Sequence, residues 1–206
     1  YYNQVQYTNV TMTGSVTISN NGVASGFSGT SYLNMTTSAD TFYSGDPSTT
    51  YIKVCFTTGS DVNTRQPICC SNADEYYAYG VGVYNGSIYS LCSMWGDNDL
   101  NLSVSPNTTY YLKIVPSNDY YYKVFLSTDD VTYVEGSMET YNYGYDMGGM
   151  LGAGWETSDT LQGFLGTINL SACEYVLNGT TAWTAEKPAQ TSFNAYAVGN
   201  LPYQTY

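Results

Sequence analysis

Tyr110-Tyr-Leu-Lys-Ile-Val115 and Tyr120-Tyr-Tyr-Lys-Val-Phe-Leu126 are the two stretches whose pattern decides the fold. In both, apolar and amphipathic side chains alternate with the period of two that a half-buried strand requires. Leu112, Ile114, Val124 and Leu126 therefore share an inward face, and Tyr111, Lys113, Tyr121, Lys123 and Phe125 share the outward one. Pro116-Ser-Asn-Asp119 lies between them and consists of turn-forming residues, so the pair reads as a hairpin. Ser127-Thr-Asp-Asp130 then turns the chain into a predicted strand, Val131-Thr-Tyr-Val134.

The same alternation extends outward in both directions. Upstream, residues 76–84 and 87–94 flank Asn85-Gly86, two residues that accept positive φ cheaply and so favour a tight hairpin. Tyr51-Ile-Lys-Val-Cys-Phe56 places Ile52, Val54 and Phe56 on a core face and Tyr51, Lys53 and Cys55 on the other. A polar connection, residues 57–66, leads to a strand at Ile68-Cys69-Cys70 that breaks at Ser71-Asn-Ala-Asp74. Gly14-Ser-Val-Thr-Ile18, a turn at Asn20-Asn-Gly22, and residues 23–27 and 32–35 form an opening set of strands. Downstream, residues 163–170 and 174–177 are strand-like, followed by Asn178-Gly179 and Thr181-Ala-Trp183. Residues 186–206 have weaker periodicity and are expected to form an arm or an edge strand.

No linker, charge block or internal repeat divides the 206 residues, so one domain spanning 1–206 is expected, with its core at about 14–185. Abundant Tyr (24) and Gly (20) beside few Lys and Arg suit many short strands joined by tight turns. The expected class is all-β, a two-sheet antiparallel jelly-roll β-sandwich.

Charge narrows the partners. Five basic residues face 17 acidic ones, a formal charge of −12, so no patch can neutralise a run of phosphates and nucleic acid is not expected as a ligand. An acidic surface repels anionic headgroups, and the apolar runs fall short of the roughly 20 residues that span a bilayer, so no membrane insertion is expected. The start, Tyr1-Tyr-Asn-Gln4, lacks the pattern of a signal peptide, which suggests a mature chain, an excised piece, or export by assembly into a particle. An extracellular or virion-surface location follows as an expectation.

The five cysteines, Cys55, Cys69, Cys70, Cys92 and Cys173, are expected mainly as buried thiols. If a bridge exists, the short loop favours Cys55 with Cys69 or Cys70. Asn-x-Ser/Thr triplets occur at Asn9, Asn34, Asn85, Asn101, Asn107, Asn169 and Asn178, a number that this composition largely produces by chance.

The hairpin over residues 110–126, its Ser127-Thr-Asp129 turn, Gly163-Phe-Leu-Gly-Thr-Ile-Asn-Leu170, and Cys173-Glu-Tyr-Val-Leu-Asn-Gly179 through Trp183 together resemble laminin-G-like, concanavalin A-like sandwich modules of phage tail and gut-bacterial surface proteins. The resemblance spans residues 14–185. It implies a lectin-like or glucanase-like sandwich and rests on turn and core residues, which specify fold better than activity. Asp130 stands where these modules usually place Gly, which implies a different turn type.

Catalysis finds little support. A glycanase of this fold resembles members carrying Glu-x-Asp-x-x-Glu on one strand, and no such run exists here. Asp74-Glu75 and Asp129-Asp130 read as turn-formers. Without any His, Ser-His-Asp and Cys-His sites and His-ligated metals are excluded. No cofactor is required. Trp95-Gly-Asp97-Asn98-Asp99 offers closely spaced oxygens that could hold Ca²⁺, with a plain turn as the alternative.

Tyrosines are the stronger signal. Tyr76, Tyr77 and Tyr79 cluster with Tyr84 and Tyr89, and Tyr141, Tyr143 and Tyr145 alternate before Trp155. Rings with polar tips suit stacking on sugars or packing against protein, although alternating Tyr also satisfies strand propensity. Residues 139–155 read as a loop carrying exposed rings. The expectation is a non-catalytic module that binds a glycan or cell-surface receptor, as a phage tail or fibre domain or microbial adhesin. The alternative is a structural subunit contacting copies of itself within a fibre or virion assembly.

Overall fold

A computed structural model describes residues 10–35, 42, 44–71, 79–92, 96–118, 120–141, 149–157 and 160–184. In chain order the strands are β1 (Val10–Thr13), β2 (Thr17–Ile18), β3 (Val23–Ser25), β4 (Tyr32–Met35), β5 (Tyr51–Thr57) and β6 (Gln66–Cys70). The central portion contributes β7 (Tyr79–Tyr84), β8 (Ser87–Cys92), β9 (Asn98–Ser103), β10 (Thr109–Asn118), β11 (Tyr121–Ser127), β12 (Val134–Glu135) and β13 (Thr140–Tyr141). The remainder is β14 (Met150–Leu151), β15 (Ala153–Thr157), β16 (Thr160–Gly163), β17 (Thr167–Asn169), β18 (Glu174–Leu177) and β19 (Thr180–Thr184), with one 3₁₀ turn at Leu170–Ala172.

Two antiparallel sheets pack face to face as a jelly-roll sandwich. Sheet one runs β1-β4-β14-β6-β7-β8-β9, and sheet two runs β12-β11-β10-β5-β17-β3-β2. In sheet two, β5 pairs along one edge with β10, from Thr57↔Thr109 to Ile52↔Ile114. Its other edge is shared, with Thr57 and Phe56 facing β17 and Ile52 facing Tyr175 of β18. Every inward position read from the sequence is buried: Ile52, Val54 and Phe56 on β5, Leu112 and Ile114 on β10, Val124 and Leu126 on β11. They meet Val81, Val83, Ile88, Leu100 and Leu102 from sheet one in a single hydrophobic cluster. The β15–β16 hairpin lies over the far face of β6, where a Cβ on Gly154 would stand 2.6 Å from Cys70 Sγ. That cover explains why β6 is buried along its whole length rather than at alternate positions.

Local chemistry accounts for the turns. Asn85 and Gly86 take φ of 47° and 72°, the paired left-handed geometry of a two-residue hairpin, and Asn178-Gly179 repeats it at 48° and 75°. The hairpin of β10 and β11 forms with the expected residues inward, Leu112 opposite Leu126 and Ile114 opposite Val124, but its turn lies further along. Strand β10 continues through Pro116, which pairs with Tyr122, to Asn118. Pairing with β5 stops at Ile114, so Pro116 stands on a stretch with an open edge, where a missing N–H is tolerated.

Three further expectations are corrected. Residues 131–133 are a turn, not a strand, because Asp129 Oδ1 accepts the backbone N–H groups of Val131 (2.9 Å) and Thr132 (2.8 Å) and withdraws them from any ladder. Residues 139–155 are not simply a loop: β13 joins sheet two, and Met150 and Leu151 are buried inside sheet one between β4 and β6. The bridge of Cys55 with Cys69 or Cys70 is not formed, since β5 and β6 belong to opposite sheets; all five cysteines are buried thiols. Burial pushes the Cys70 and Cys173 thiols up to about 12. Residues 142–148 and 185–206, including the expected C-terminal arm, lie outside the described residues.

Of the glycan-acceptor triplets, Asn85, Asn107 and Asn178 stand exposed at turn tips, whereas Asn34 is half-buried and donates to Thr13 Oγ1 at 3.1 Å. Asn9 lies outside the described residues. Because Leu112 is fully buried between the sheets, Leu112→Ala is expected to lower unfolding free energy by about 3 kcal/mol in urea titration. Tyr111→Ala, on the opposite face of β10, is expected to cost clearly less.

Candidate functional site

The interior of the sandwich is roofed along one side by the edges of β9 and of β11 with its partners, and the segment after β12 ties them together. Gly136 N donates to Val124 O of β11 (2.8 Å), and Ser137 N donates to Leu100 O of β9 (2.9 Å). Asn101 Nδ2 adds a bond to Ser137 Oγ at 2.9 Å. A Cβ on Gly136 would lie 3.2 Å from Leu100 Cβ and 3.3 Å from Val124 O, so glycine permits this close approach. This seam separates two clefts.

The larger cleft, of about 550 Å³, opens towards the end of the sandwich remote from the Asn85-Gly86 turn. Tyr79, Ser90, Cys92 and Thr140 form its buried floor, while Asn98, Tyr121, Met138, Glu139 and Tyr141 stand at its rim. Pairing of β11 with β13 sets Tyr121 opposite Tyr141, with ring centroids 5.0 Å apart. Beneath the floor, the fully buried Tyr122 donates to Gly80 O at 3.2 Å, and its hydroxyl is flanked by those of Ser90 and Thr140. Burial raises the Tyr122 phenol above its ordinary value, so it remains protonated. Thr140 Oγ1 is buried beside it without a well-aligned hydrogen bond among the described residues. Flat rings at the mouth and hydroxyls below can accommodate a ligand with both apolar faces and polar edges.

A half-buried ion pair fixes the rim from behind. Arg65 grips Asp97 with two bonds, Nε to Oδ2 at 2.7 Å and Nη2 to Oδ1 at 3.1 Å. Arg65 Nη1 also reaches Gln162 Oε1 of β16 at 3.1 Å, and Cys92 N donates to Asp97 Oδ1. Asp97 lies between Gly96 and Asn98, both lining residues, so the clamp sets their backbone. The Asp97 and Asp99 carboxylates, weighed in the sequence as calcium ligands against a plain turn, are engaged within the protein. A guanidinium already holds Asp97, and Asp99 Oδ1 instead accepts from Ser87 Oγ (2.6 Å) and Asn101 N (2.8 Å). Asn98 begins β9, a strand where the sequence suggested a loop. No cluster of three or more metal-ligating side chains occurs among the described residues.

The smaller cleft, about 320 Å³, is lined by Asn101, Ser103, Tyr110, Ser127, Asp129 and Val134 among others. Next to it the Ser127–Asp130 turn folds back over the outer face of sheet two. Asp130 takes φ of 59°, so an Asp occupies the left-handed position that the resemblance assigns to Gly. Its carboxylate accepts from Lys53 Nζ (2.8 Å) and from the Tyr133 hydroxyl. Burial opposes its ionisation most strongly, yet the bonds from Lys53 and Tyr133 and the charges of Lys53 and Lys113 outweigh burial and lower its pKa. Lys113 Nζ lies 4.7 Å from the Tyr51 ring centroid and 4.4 Å from that of Tyr133.

Of the residues singled out in the sequence, Tyr79, Asn98 and Tyr141 come together in the larger cleft. Tyr76, Tyr77, Trp95, Tyr143 and Tyr145 lie outside the described residues, as does the side chain of Trp155 on β15. The sequence singled out none of Ser90, Thr140 and Glu139, and it offered Tyr121 only as one of the clustered tyrosines at residues 120–122. The outward parity of Tyr121 was visible, but its pairing with Tyr141 is not encoded in any local pattern.

No family model and no curated protein matches the chain. Solved structures are similar to the chain at low identity. The receptor binding domain of botulinum neurotoxin C/D mosaic serotype is 11% identical with a TM-score of 0.50, over 83% of this chain and 43% of that one. A Shewanella oneidensis MR-1 protein of unknown function is 18% identical with a TM-score of 0.49, over 86% and 80% of the two chains. Domain 4 of a Geobacillus stearothermophilus extracellular arabinanase, solved with arabinotriose, is 14% identical with a TM-score of 0.49, over 84% and 87%. This chain spans less than half of the neurotoxin domain.

Two outcomes test the electrostatics. Arg65→Lys keeps the charge but loses the two-pronged grip, and urea titration is expected to show a loss of about 2 kcal/mol, the scale of one charge-assisted hydrogen bond. Backbone bonds from Thr132 and Val131 and one from Ser127 hold the Asp129 carboxyl at about 2, below its ordinary 3.8. The unfolded chain therefore binds more protons between these values, and the contribution of Asp129 is complete above pH 3.8 and lost as pH falls towards 2. Asp129→Asn is expected to flatten the stability profile in that window and leave its slope at neutral pH unchanged.

Proposed function

We propose that this chain is a non-catalytic recognition module that holds a carbohydrate, either free or on a receptor, in the larger cleft. The observation carrying this reading is the convergence of the Tyr121 and Tyr141 rings and the Asn98 side chain at the rim of one cleft floored by Tyr79, Ser90 and Thr140. Sugar rings present apolar C–H faces and hydroxyl edges, and this lining offers a partner for each. The sandwich shared with the receptor binding domain of botulinum neurotoxin C/D mosaic serotype supports a recognition role for such a scaffold.

A glycosidase needs two carboxyl groups roughly 5 to 10 Å apart about the scissile bond. Glu139 is the one carboxylate among the described lining residues, which favours binding over hydrolysis. The resemblance to laminin-G-like, concanavalin A-like modules supports a place on a phage tail or fibre or a microbial adhesin, displayed outside the cell or on a virion.

A second reading, a subunit that contacts copies of itself, is favoured by Val131 and Val134. They are 81% and 61% exposed on the turn and edge strand bordering the smaller cleft. A monomer by light scattering at high concentration would count against it.

Tyr121 is 40% exposed, so its loss removes little packing. Tyr121→Ala and Asn98→Ala are each expected to lower glycan-array signal by about tenfold or more at unchanged melting temperature. Retention of full signal by both variants would remove the larger cleft as the binding site.

A further inference from the structure

Resting on the carbohydrate reading of the larger cleft, we infer that its ligand is an uncharged glycan, and that sialylated, uronate-containing or sulfated sugars are selected against. Positive side chains are few enough to follow one by one. The chain has five Lys and Arg and no His, so a side-chain cation that receives a carboxylate or sulfate must be one of those five.

Four are described, and each is committed elsewhere. Arg65 is only 9% exposed along its side chain and is held in two bonds by Asp97. Lys53 lies between Asp130 (2.8 Å) and Glu174 (3.4 Å). Lys113 sits over the Tyr51 and Tyr133 rings on the outer face of sheet two. Lys123 is bound by Glu135 at 2.9 Å and by Glu139 at 3.5 Å. The fifth, Lys187, lies outside the described residues.

Lys123 stands nearest the opening, through Glu139, and it is the instructive case. Glu139 itself lines the cleft, so an anionic sugar approaching Lys123 must also approach that carboxylate, and two acids already satisfy the ammonium. The net charge of −12 adds a long-range repulsion that slows the approach of any anion. A neutral sugar meets no such opposition. Tyr121 and Tyr141 can stack on it, and Asn98 can donate or accept without an ionic partner.

The test uses matched pairs of oligosaccharides immobilised at equal density, each neutral sugar beside its sialylated, uronate or sulfated counterpart. The neutral members are expected to bind the intact chain about tenfold or more tightly. Their binding is also expected to change less than about twofold between 50 mM and 500 mM salt, because no ion pair is screened. In Glu139→Gln, the ratio of neutral to acidic binding is expected to fall. Equal or tighter binding of the acidic members, or a steep salt dependence of the neutral ones, overturns the charge inference and leaves the recognition reading standing. Binding of neither class overturns both.

Discussion

Strand β5 is the constraint on which sheet two depends. It must offer one edge to β10 over six consecutive pairs while its other edge is divided between β17 and β18. Only a strand buried on its inner face at Ile52, Val54 and Phe56 can occupy that position, because both ladders then share one unbroken apolar floor. Phe56 makes the junction. Its ring stacks with Tyr110 of β10 at 5.7 Å and meets Phe164, just before β17, edge-on at 5.9 Å. Aromatic contacts of this kind add to area burial and fix orientation. The inner face thus joins segments more than a hundred residues apart in sequence.

The outer face of the same sheet shows how a strongly acidic chain places its few cations. Three of the five, Lys53, Lys113 and Lys123, are on β5, β10 and β11, with carboxylates or rings against them. Pairs this exposed contribute modestly to stability one by one. Lys53 and Lys113 hold the Ser127–Asp130 turn and Tyr133 down on the sheet, and Lys123 holds Glu135 and Glu139. The fourth, Arg65, lies over sheet one and fastens the β15–β16 hairpin and the start of β9. The arrangement uses positive charge to position loops, which is why so little remains for a ligand.

Much of this fold was legible in the sequence because a period of two is a local signal. The inward sets on β5, β10 and β11 followed from alternation, and the Asn85-Gly86 turn followed from the cost of positive φ. What failed depended on partners far along the chain. Asp97 read as part of a turn, because nothing local reveals that Arg65 lies beside it. Val131 looked like a strand residue because its β-propensity says nothing about the Asp129 oxygen that takes its N–H. Met150 and Leu151 looked like part of a Gly- and Met-rich loop, although two residues between β4 and β6 are enough to complete sheet one. Of the site, Tyr79, Asn98 and Tyr141 were legible as exposed-ring or polar-turn candidates, but their meeting depends on β13 adding to β11.

The five buried thiols have a consequence for how opening of the sandwich can be observed. They are distributed over both sheets: Cys55 on β5, Cys69 and Cys70 on β6, Cys92 on β8, and Cys173 ahead of β18. Cys92 lies in the floor of the larger cleft, within reach of a small reagent, whereas Cys69 and Cys173 belong to the cluster between the sheets. A maleimide therefore meets these last two only once the layers separate, and their rate of modification is a clock for that opening.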